Sequence, residues 1–241
     1  PPYGAQLRYY LPKAITGELK LQVLDAQGQR VRELSSIARP PSAPVGDPDG
    51  PSAAPKAELQ TTAGWHQVAW DLAFEGATRL KDAKIDAGDP ESGPLALPGN
   101  YRIEMIGSDL RLSTELIIEA DPRSSISVED MTANLKFALG ARDALQRAGK
   151  GIEWLRAARE QAQALHARLG TSRKTISTAA QAVIDDADRI EGLLHNPEAK
   201  VVYDILRGPK GAQLYSQLAP LYTWAQSSDH APTAAMHTRF N

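Results

Sequence analysis

The chain contains no cysteine among its 241 residues. Disulfide bonds, thiol catalysis and thiolate metal sites are therefore excluded. This absence leaves the cellular compartment open, because a dense set of disulfides is typical of only some exported proteins.

Long apolar runs and an excess of charge of one sign are missing as well. No stretch approaches the roughly 20 apolar residues of a membrane-spanning helix, so no membrane span is predicted. Lys and Arg number 27 against 29 Asp and Glu, which gives a net charge of −2. Nucleic acid is not a predicted partner, because binding its phosphate backbone requires concentrated positive charge.

The clearest positive feature is a change of periodicity at residues 121–123, whose sequence is Asp-Pro-Arg. Before this point apolar residues alternate in short runs that Gly and Pro interrupt, and after it they recur every three or four residues. Alternation is typical of half-buried strands and the longer period of amphipathic helices. We therefore predict two domains, all-β over 1–121 and all-α over 122–241.

The first half has the pattern of an antiparallel β-sandwich. Roughly six or seven strands are predicted, with turn residues between them. The strand candidates are 5–11, 18–24, 29–34, 64–74, 101–105 and 110–120. Asp25 to Gly28 suits a hairpin turn. Residues 38–56 contain six prolines and are predicted to form a long surface loop, and 76–98 form a second loose connection.

The second half predicts an antiparallel helical hairpin or bundle. An apolar stripe from Leu135 to Leu169 marks a long helix, which Gly149 and Gly151 are expected to bend or break. A second helix has apolar residues spaced by four and three, a coiled-coil-like seam expected to face the first helix. The seam residues are Ile176, Ala180, Val183, Ala187, Ile190 and Leu194.

Two shorter helices are predicted towards the end of the chain. One lies near 211–226, with Leu214, Leu218, Leu221 and Tyr222 inward. Another begins at Pro232–Thr233 and stops within about two turns, so the last helix is expected to be truncated. The chain also begins with Pro rather than Met, and we expect the natural N-terminus to lie elsewhere.

Several segments together resemble one family. The segments are 4–11 (GAQLRYYL), 21–32 (LQVLDAQGQRVR), 64–72, 93–101, 119–123 (EADPR), 218–222 (LAPLY) and 231–233 (APT). They look like the C-terminal region of large bacterial exported proteins with an N-terminal sortilin-type or sialidase-like β-propeller, often labelled glycosyl hydrolases. The sandwich itself is similar to the immunoglobulin-like domain of flagellar hook-capping proteins.

This resemblance implies an immunoglobulin-like sandwich, a helical tail and an extracytoplasmic location, periplasmic or secreted. A propeller would precede residue 1 in the family and the last helix would continue past 241. The loop at 38–56 departs from the family by its length and polarity. No catalytic residue is carried over, because the propeller lies outside this chain.

No catalytic, cofactor-binding or metal-binding residue is predicted from the motifs. Asp47 to Glu58 fails as a calcium loop because prolines stiffen it, and residues 170–175 lack the second Gly of a phosphate loop. An acidic run is expected to be a solvated loop; it comprises Asp82, Asp86, Asp89 and Glu91. The histidines lack metal-ligand spacing and are His66, His166, His195, His230 and His237.

The four tryptophans are the remaining candidates for ligand contact. Trp65 and Trp70 are five residues apart, so in one strand they face opposite sides. Trp70 shares its face with Val68 and is predicted to be core, while Trp65 is the one expected to be exposed. Trp154 and Trp224 lie in helical stripes and are predicted to pack.

Three non-catalytic functions follow from these observations, and a hydrolase within this segment ranks after all of them. The favoured one is a non-catalytic accessory region that caps or braces its own N-terminal propeller or contacts another protein surface. The first alternative is a carbohydrate-binding module that uses Trp65 and the long loops to bind a glycan. The second is a homo-oligomerisation element built on the seam within 172–195. No cofactor is predicted for any of them.

Overall fold

The computed structural model describes residues 3–37, 59–169, 173–207 and 210–240. Six strands and five helices lie in these ranges. They are β1 (Ala5–Leu11), β2 (Lys20–Leu24), β3 (Arg30–Ser35), β4 (Gly64–Trp70), β5 (Gly99–Ile106), β6 (Arg111–Ile118), α1 (Val128–Leu169), α2 (Lys174–Leu194), α3 (Val202–Arg207), α4 (Leu214–Gln226) and α5 (Ala234–Phe240). The predicted loop at 38–56 and the rejected calcium loop lie outside the described residues.

The change from strands to helices occurs where the sequence predicts it. Within the described ranges, every strand ends by Ile118 and every helix begins at Val128 or later. Between them the chain turns at Asp121, whose backbone carbonyl accepts the N–H of Ser124 at 2.9 Å. Side-chain hydrogen bonds from Arg123 lower the pKa of Asp121 to about 2. Asp121 is therefore ionised at neutral pH.

The strands form two antiparallel sheets. β1 pairs with β4, and the second sheet has the order β3-β2-β5-β6. The β2–β3 hairpin turns as predicted: Asp25 Oδ1 accepts the N–H groups of Gln27 at 2.9 Å and Gln29 at 2.8 Å. Gly28 adopts a positive φ of 77° in this turn, a conformation that glycine adopts without strain.

The inward side chains of both sheets form one hydrophobic cluster. The smaller sheet contributes Tyr9, Leu11, Val68 and Trp70, and the larger one Leu21, Val23, Val31, Leu34, Tyr101, Ile103 and Met105. Trp70 is fully buried, and its ring meets that of Tyr101 edge-on with centroids 5.6 Å apart. Burial of alternate residues from each strand accounts for the alternation in the sequence.

α1 is one continuous helix of 42 residues, so the expected break at Gly149 and Gly151 is wrong, while a bend there stays a prediction. A glycine inside a helix costs only about 1 kcal/mol relative to alanine. On both sides of Gly149, the buried side chains of Leu145 and Ile152 pack in the same cluster as Tyr215 of α4. Such tertiary packing outweighs the weak local propensity.

α1 and α2 form the predicted antiparallel hairpin, but the buried seam of α2 is displaced. The residues that bury are Ser177, Ala180, Ile184, Ala187 and Glu191. Only Ala180 and Ala187 belong to the predicted seam, and Ile176 and Val183 are exposed beside it. The prediction missed this register because Ser177 and Glu191 are polar and do not stand out as seam positions.

The loose connection after β4 packs into the helical half. Ala77, Leu80, Ala83 and Ile85 are buried in one cluster with α1 and α4 residues. The backbone N–H of Leu80 donates to the Tyr215 hydroxyl at 2.9 Å, and Tyr222 donates to the Ser92 carbonyl at 2.6 Å. Contacts therefore cross the predicted division at residue 121. That division itself stays a prediction.

α4 and α5 lie where they are predicted, with one correction in α4. Leu218, Leu221 and Tyr222 are buried as predicted, but Leu214 is exposed at the first residue of the helix. α5 begins after Pro232–Thr233, where the Thr233 hydroxyl accepts the Met236 N–H at 3.2 Å. This hydrogen bond caps the helix N-terminus.

Candidate ligand-binding face

The outer face of the β1–β4 sheet combines exposed aromatic rings with hydrogen-bonding side chains. The register places three residue pairs directly opposite one another: Gln6 with Ala69, Arg8 with Gln67, and Tyr10 with Trp65. Their neighbours Tyr9, Leu11, Val68 and Trp70 point inward and are buried. We call the six outward-facing residues of the three pairs the aromatic face.

Tyr10 and Trp65 form an exposed aromatic pair at one end of this face. Their ring centroids are 5.2 Å apart and the ring planes are inclined by 46°. Trp65 is 76% exposed and Tyr10 is 51% exposed. The predictions that Trp65 is exposed and Trp70 is core are both confirmed. The motif Tyr9–Tyr10 in segment 4–11 predicts two core anchors, which is correct for Tyr9 and wrong for Tyr10. Alternation along β1 places Tyr10 on the face opposite to Tyr9.

A row of hydrogen-bonded polar side chains continues the face beyond the rings. The amide of Gln67 donates to Gln6 Oε1 at 2.7 Å, and Arg8 Nε donates to Gln67 Oε1 at 3.3 Å. The side-chain planes of Gln6, Arg8 and Gln67 are thereby held relative to one another. The row occupies the strand positions next to the aromatic pair.

The aromatic face rests on a well-anchored base. The Tyr9 hydroxyl donates to the Gln60 carbonyl at 2.9 Å and accepts the Gln60 N–H at 2.8 Å. Trp70 Nε1 donates to the Ala73 carbonyl at 3.0 Å. Burial raises the pKa of Tyr9 above its ordinary value near 10. Binding surfaces carried on such rigid strands need little ordering when a ligand arrives.

The acidic run 82–91 does not converge on a common point that would bind an ion. Among the described residues, no group of three or more His, Asp or Glu side chains is arranged to hold a metal. Asp89 instead accepts the N–H of Glu91 at 3.0 Å, as a turn residue does. Lys174 and Thr175, from the rejected phosphate loop, lie in the first turn of α2.

The five histidines lie in different parts of the molecule. His66 Nε2 is 2.7 Å from the Thr62 carbonyl, and His166 Nδ1 is 3.0 Å from the Ser177 hydroxyl. The His237 ring meets Phe137 edge-on with centroids 5.1 Å apart. His230 is exposed and His195 is buried at the end of α2. Each therefore has its own local environment.

Trp154 and Trp224 do not pack as predicted. Trp154 is 76% exposed on α1, and Trp224 is exposed on α4 with the Arg239 guanidinium 6.0 Å from its ring centroid. The apolar stripe of a helix is wide, so membership of a stripe does not fix which edge residues bury.

A buried ionic network at the end of α2 was missed by sequence reasoning. Glu191 is 1% exposed and accepts Arg156 Nε at 2.8 Å and Arg159 Nη1 at 2.9 Å. Arg156 also donates to the Lys81 carbonyl at 3.0 Å, which ties the 77–85 segment to α1. His195 lies beside this network. No local pattern in the sequence marks Glu191 as buried, because its partners lie on α1.

A cleft of 190 Å³ lies between the end of the strand region and the helices. Its walls come from residues 94–98 and 118–121, the first turns of α1 and the end of α4. Asn134 Nδ2 crosses one side of it to the Ala225 carbonyl at 2.9 Å and the Ser228 carbonyl at 2.6 Å. The cleft is smaller than typical ligand pockets of roughly 300–1,000 Å³.

Comparison with protein families, curated proteins and solved structures finds no match for this chain. In the described ranges, no helix is both long enough and apolar enough to cross a membrane. These comparisons point to no function, so a functional proposal rests on the aromatic face.

Proposed function

We propose that this chain is a non-catalytic accessory module that binds an oligosaccharide through the aromatic face. The single observation that carries the proposal is the exposed Tyr10–Trp65 pair on a sheet whose other face is core. Two large rings left in water on rigid strands are costly to solubility and suit a ligand that covers them.

The chemistry of the face fits a sugar polymer. The C–H faces of sugar rings stack on aromatic rings, and their hydroxyl groups require nearby donors and acceptors. Tyr10 and Trp65 offer the apolar surface, while Gln6, Arg8 and Gln67 offer polar groups at the adjacent strand positions. An open face of this kind accommodates a chain of sugars better than a small enclosed cleft does.

Substitution of Trp65 tests this proposal. Trp65→Ala is expected to weaken glycan binding by a factor between about 5 and about 150, since stacking on an aromatic ring contributes on the order of 1–3 kcal/mol. Binding is measured on a glycan array and then by calorimetry. Trp154→Ala is the matched control, because Trp154 is equally exposed but lies on α1. Equal loss in both variants, or no glycan binding by the unaltered chain, rejects the proposal.

The non-catalytic part of the proposal has its own test. The purified chain is incubated with a panel of glycosides, and release of reducing sugar is measured over hours. We expect no turnover above the buffer rate. Turnover that co-purifies with the chain rejects the proposal and would direct attention to paired carboxylates.

A second candidate function is bracing of another protein surface, including the propeller implied by the resemblance. The observation that favours it is the exposed flank of α2, where Ile176, Val183 and Ile190 recur every seven residues. Ile176 and Val183 are exposed although α2 already packs on α1. Apolar residues at this spacing are typical of a further helix contact.

Light scattering distinguishes self-association through α2 from bracing of a separate protein. A homo-oligomer is expected to give a mass that is a multiple of the chain mass and to revert to monomer in Val183→Glu. A monomeric chain that binds a separately produced propeller, with loss of binding in Val183→Glu, supports bracing instead. A monomer that binds no such partner counts against both.

The proposal also covers the type of β-sandwich and the parent protein to which this chain belongs. The shared core of the two sheets supports an immunoglobulin-like sandwich, and the helices after residue 127 support a helical region whose core is completed by residues 77–85. The sequence resemblance supports an exported parent protein with a sortilin-type propeller. Export of the parent is tested by fractionating cells that carry an epitope tag after residue 241.

A further inference from the structure

The aromatic face carries one charged side chain, and it is a cation. Of its six residues, Arg8 is charged and the others are Gln6, Tyr10, Trp65, Gln67 and Ala69. Arg8 is exposed and forms no ion pair with the described part of the chain. Many other arginines of the chain do pair, as Arg156 and Arg159 do with Glu191. The face is therefore positively charged next to its rings.

The hydrogen bonds of the polar row leave donors rather than acceptors available. Arg8 Nε donates to Gln67 Oε1, and the amide nitrogen of Gln67 donates to Gln6 Oε1. Both amide oxygens are thus engaged within the row. The two terminal nitrogens of the Arg8 guanidinium make no hydrogen bond to the described residues. A ligand that supplies acceptors, preferably charged ones, matches this arrangement.

The position of Arg8 relative to the rings is also suitable. Arg8 and Tyr10 are two residues apart on one strand face, which corresponds to about 7 Å. The Nε hydrogen bond orients the guanidinium, whose remaining nitrogens form a planar fork. A carboxylate is the planar acceptor that such a fork binds with two parallel hydrogen bonds.

We infer that the oligosaccharide of the aromatic face is acidic, with a sugar carboxylate on Arg8 beside a ring stacked on the Tyr10–Trp65 pair. This inference rests on the proposed function, because it names the ligand class of the same face. It selects uronic-acid-type glycans over neutral ones. Arg8 is the residue that determines this specificity.

Matched oligosaccharides that differ only in the carboxylate test the inference. An array of oligouronates is printed in the free-acid form and as the methyl esters, and the full chain is applied at 0.15 M salt. We expect about fivefold tighter binding to the acids, the factor that corresponds to an exposed ion pair of about 1 kcal/mol. The preference is expected to shrink at 0.5 M salt because exposed charges are screened.

Substitution of Arg8 locates the preference. Arg8→Gln is expected to bind acid and ester alike, whereas Arg168→Gln, the same change at an exposed site on α1, keeps the preference. Arg8→Lys is expected to retain only part of it, because lysine lacks the planar fork. Thermal melting of each variant verifies that it remains folded.

The outcomes separate this inference from the function on which it rests. Binding of acids and esters with equal affinity, lost in Trp65→Ala, overturns the inference and leaves the proposed function standing. A preference for acids that survives Arg8→Gln overturns it as well. Binding to no oligosaccharide rejects the function and the inference together. Binding of a peptide without binding of any glycan also rejects both the function and the inference.

Discussion

Trp65 and Trp70 are five residues apart, yet one is in water and the other is fully buried. Trp70→Ala removes a large side chain from the shared core and is expected to lower the free energy of unfolding by about 3–5 kcal/mol. Trp65→Ala removes a ring from the surface and is expected to change it by no more than about 0.5 kcal/mol. Urea denaturation followed by circular dichroism measures both. Similar losses in the two variants would contradict this assignment.

The burial of His195 is expected to make the stability of the chain depend on pH. It is 2% exposed, and its Nδ1 has no hydrogen-bond partner within the described ranges. Burial, followed by the positive charge of Arg156, lowers the pKa of His195 below its ordinary value near 6.5, although Glu191 and Asp82 act in the opposite direction. The unfolded chain therefore binds more protons than the folded chain just below that value.

Stability is accordingly expected to be fully present above the ordinary histidine pKa of about 6.5 and to decrease as the pH falls below it. The free energy of unfolding is measured in urea at intervals between pH 7.5 and 5. His195→Gln cannot titrate and is expected to flatten the curve in this window. A variant with the same slope as the unaltered chain would show that other groups cause the dependence.

The unbroken helix α1 predicts a stabilising substitution. A side-chain Cβ at Gly151 meets no atom within 4 Å, so Gly151→Ala is expected to raise the free energy of unfolding by about 0.5–1 kcal/mol through helix propensity alone. Gly76→Ala is the contrasting variant, because its Cβ would clash with the Glu91 carbonyl oxygen. It is expected to be destabilised. No gain at Gly151 would indicate that the helix is interrupted there in solution.

The strands and helices themselves were largely predictable, while their contacts were less so. β1, β2 and β4 follow from alternation, because each has one buried and one exposed face. The seam of α2 was placed on Ile176 and Val183, yet the buried positions include Ser177 and Glu191. Their burial depends on His166 and on two arginines of α1. Those partners lie too far along the chain for a local pattern to reveal.

The whole molecule is held together by the segment that follows β4. Residues 77–85 bury in the helical core, where Leu80 bonds Tyr215 and the Lys84 carbonyl accepts the Ser216 hydroxyl at 2.7 Å. A fragment of residues 122–241 would expose this surface and leave both hydroxyl groups without these partners. Burial of apolar surface stabilises a fold by about 25 cal/mol per Å², so exposure of this surface is expected to destabilise the fragment.

We therefore expect fragment 122–241 to be helical by circular dichroism but to melt below the full chain and with a broader transition. A synthetic peptide of residues 75–92, added in excess, is expected to sharpen the transition again. A scrambled peptide of the same composition serves as the control. A fragment that melts as cooperatively as the full chain would support two independently folding domains divided at residue 121.

The sequence by itself determined where strands give way to helices, which strand residues face inward, and that Trp65 faces outward. These properties are local, since each follows from the period of apolar residues along one element. Only the tertiary structure decided that Tyr10 joins Trp65, that Arg8 lies on the same face, and that residues 77–85 complete the helical core. These depend on pairing between distant segments, such as β1 with β4, which are brought together by burial of a common core rather than by any local motif.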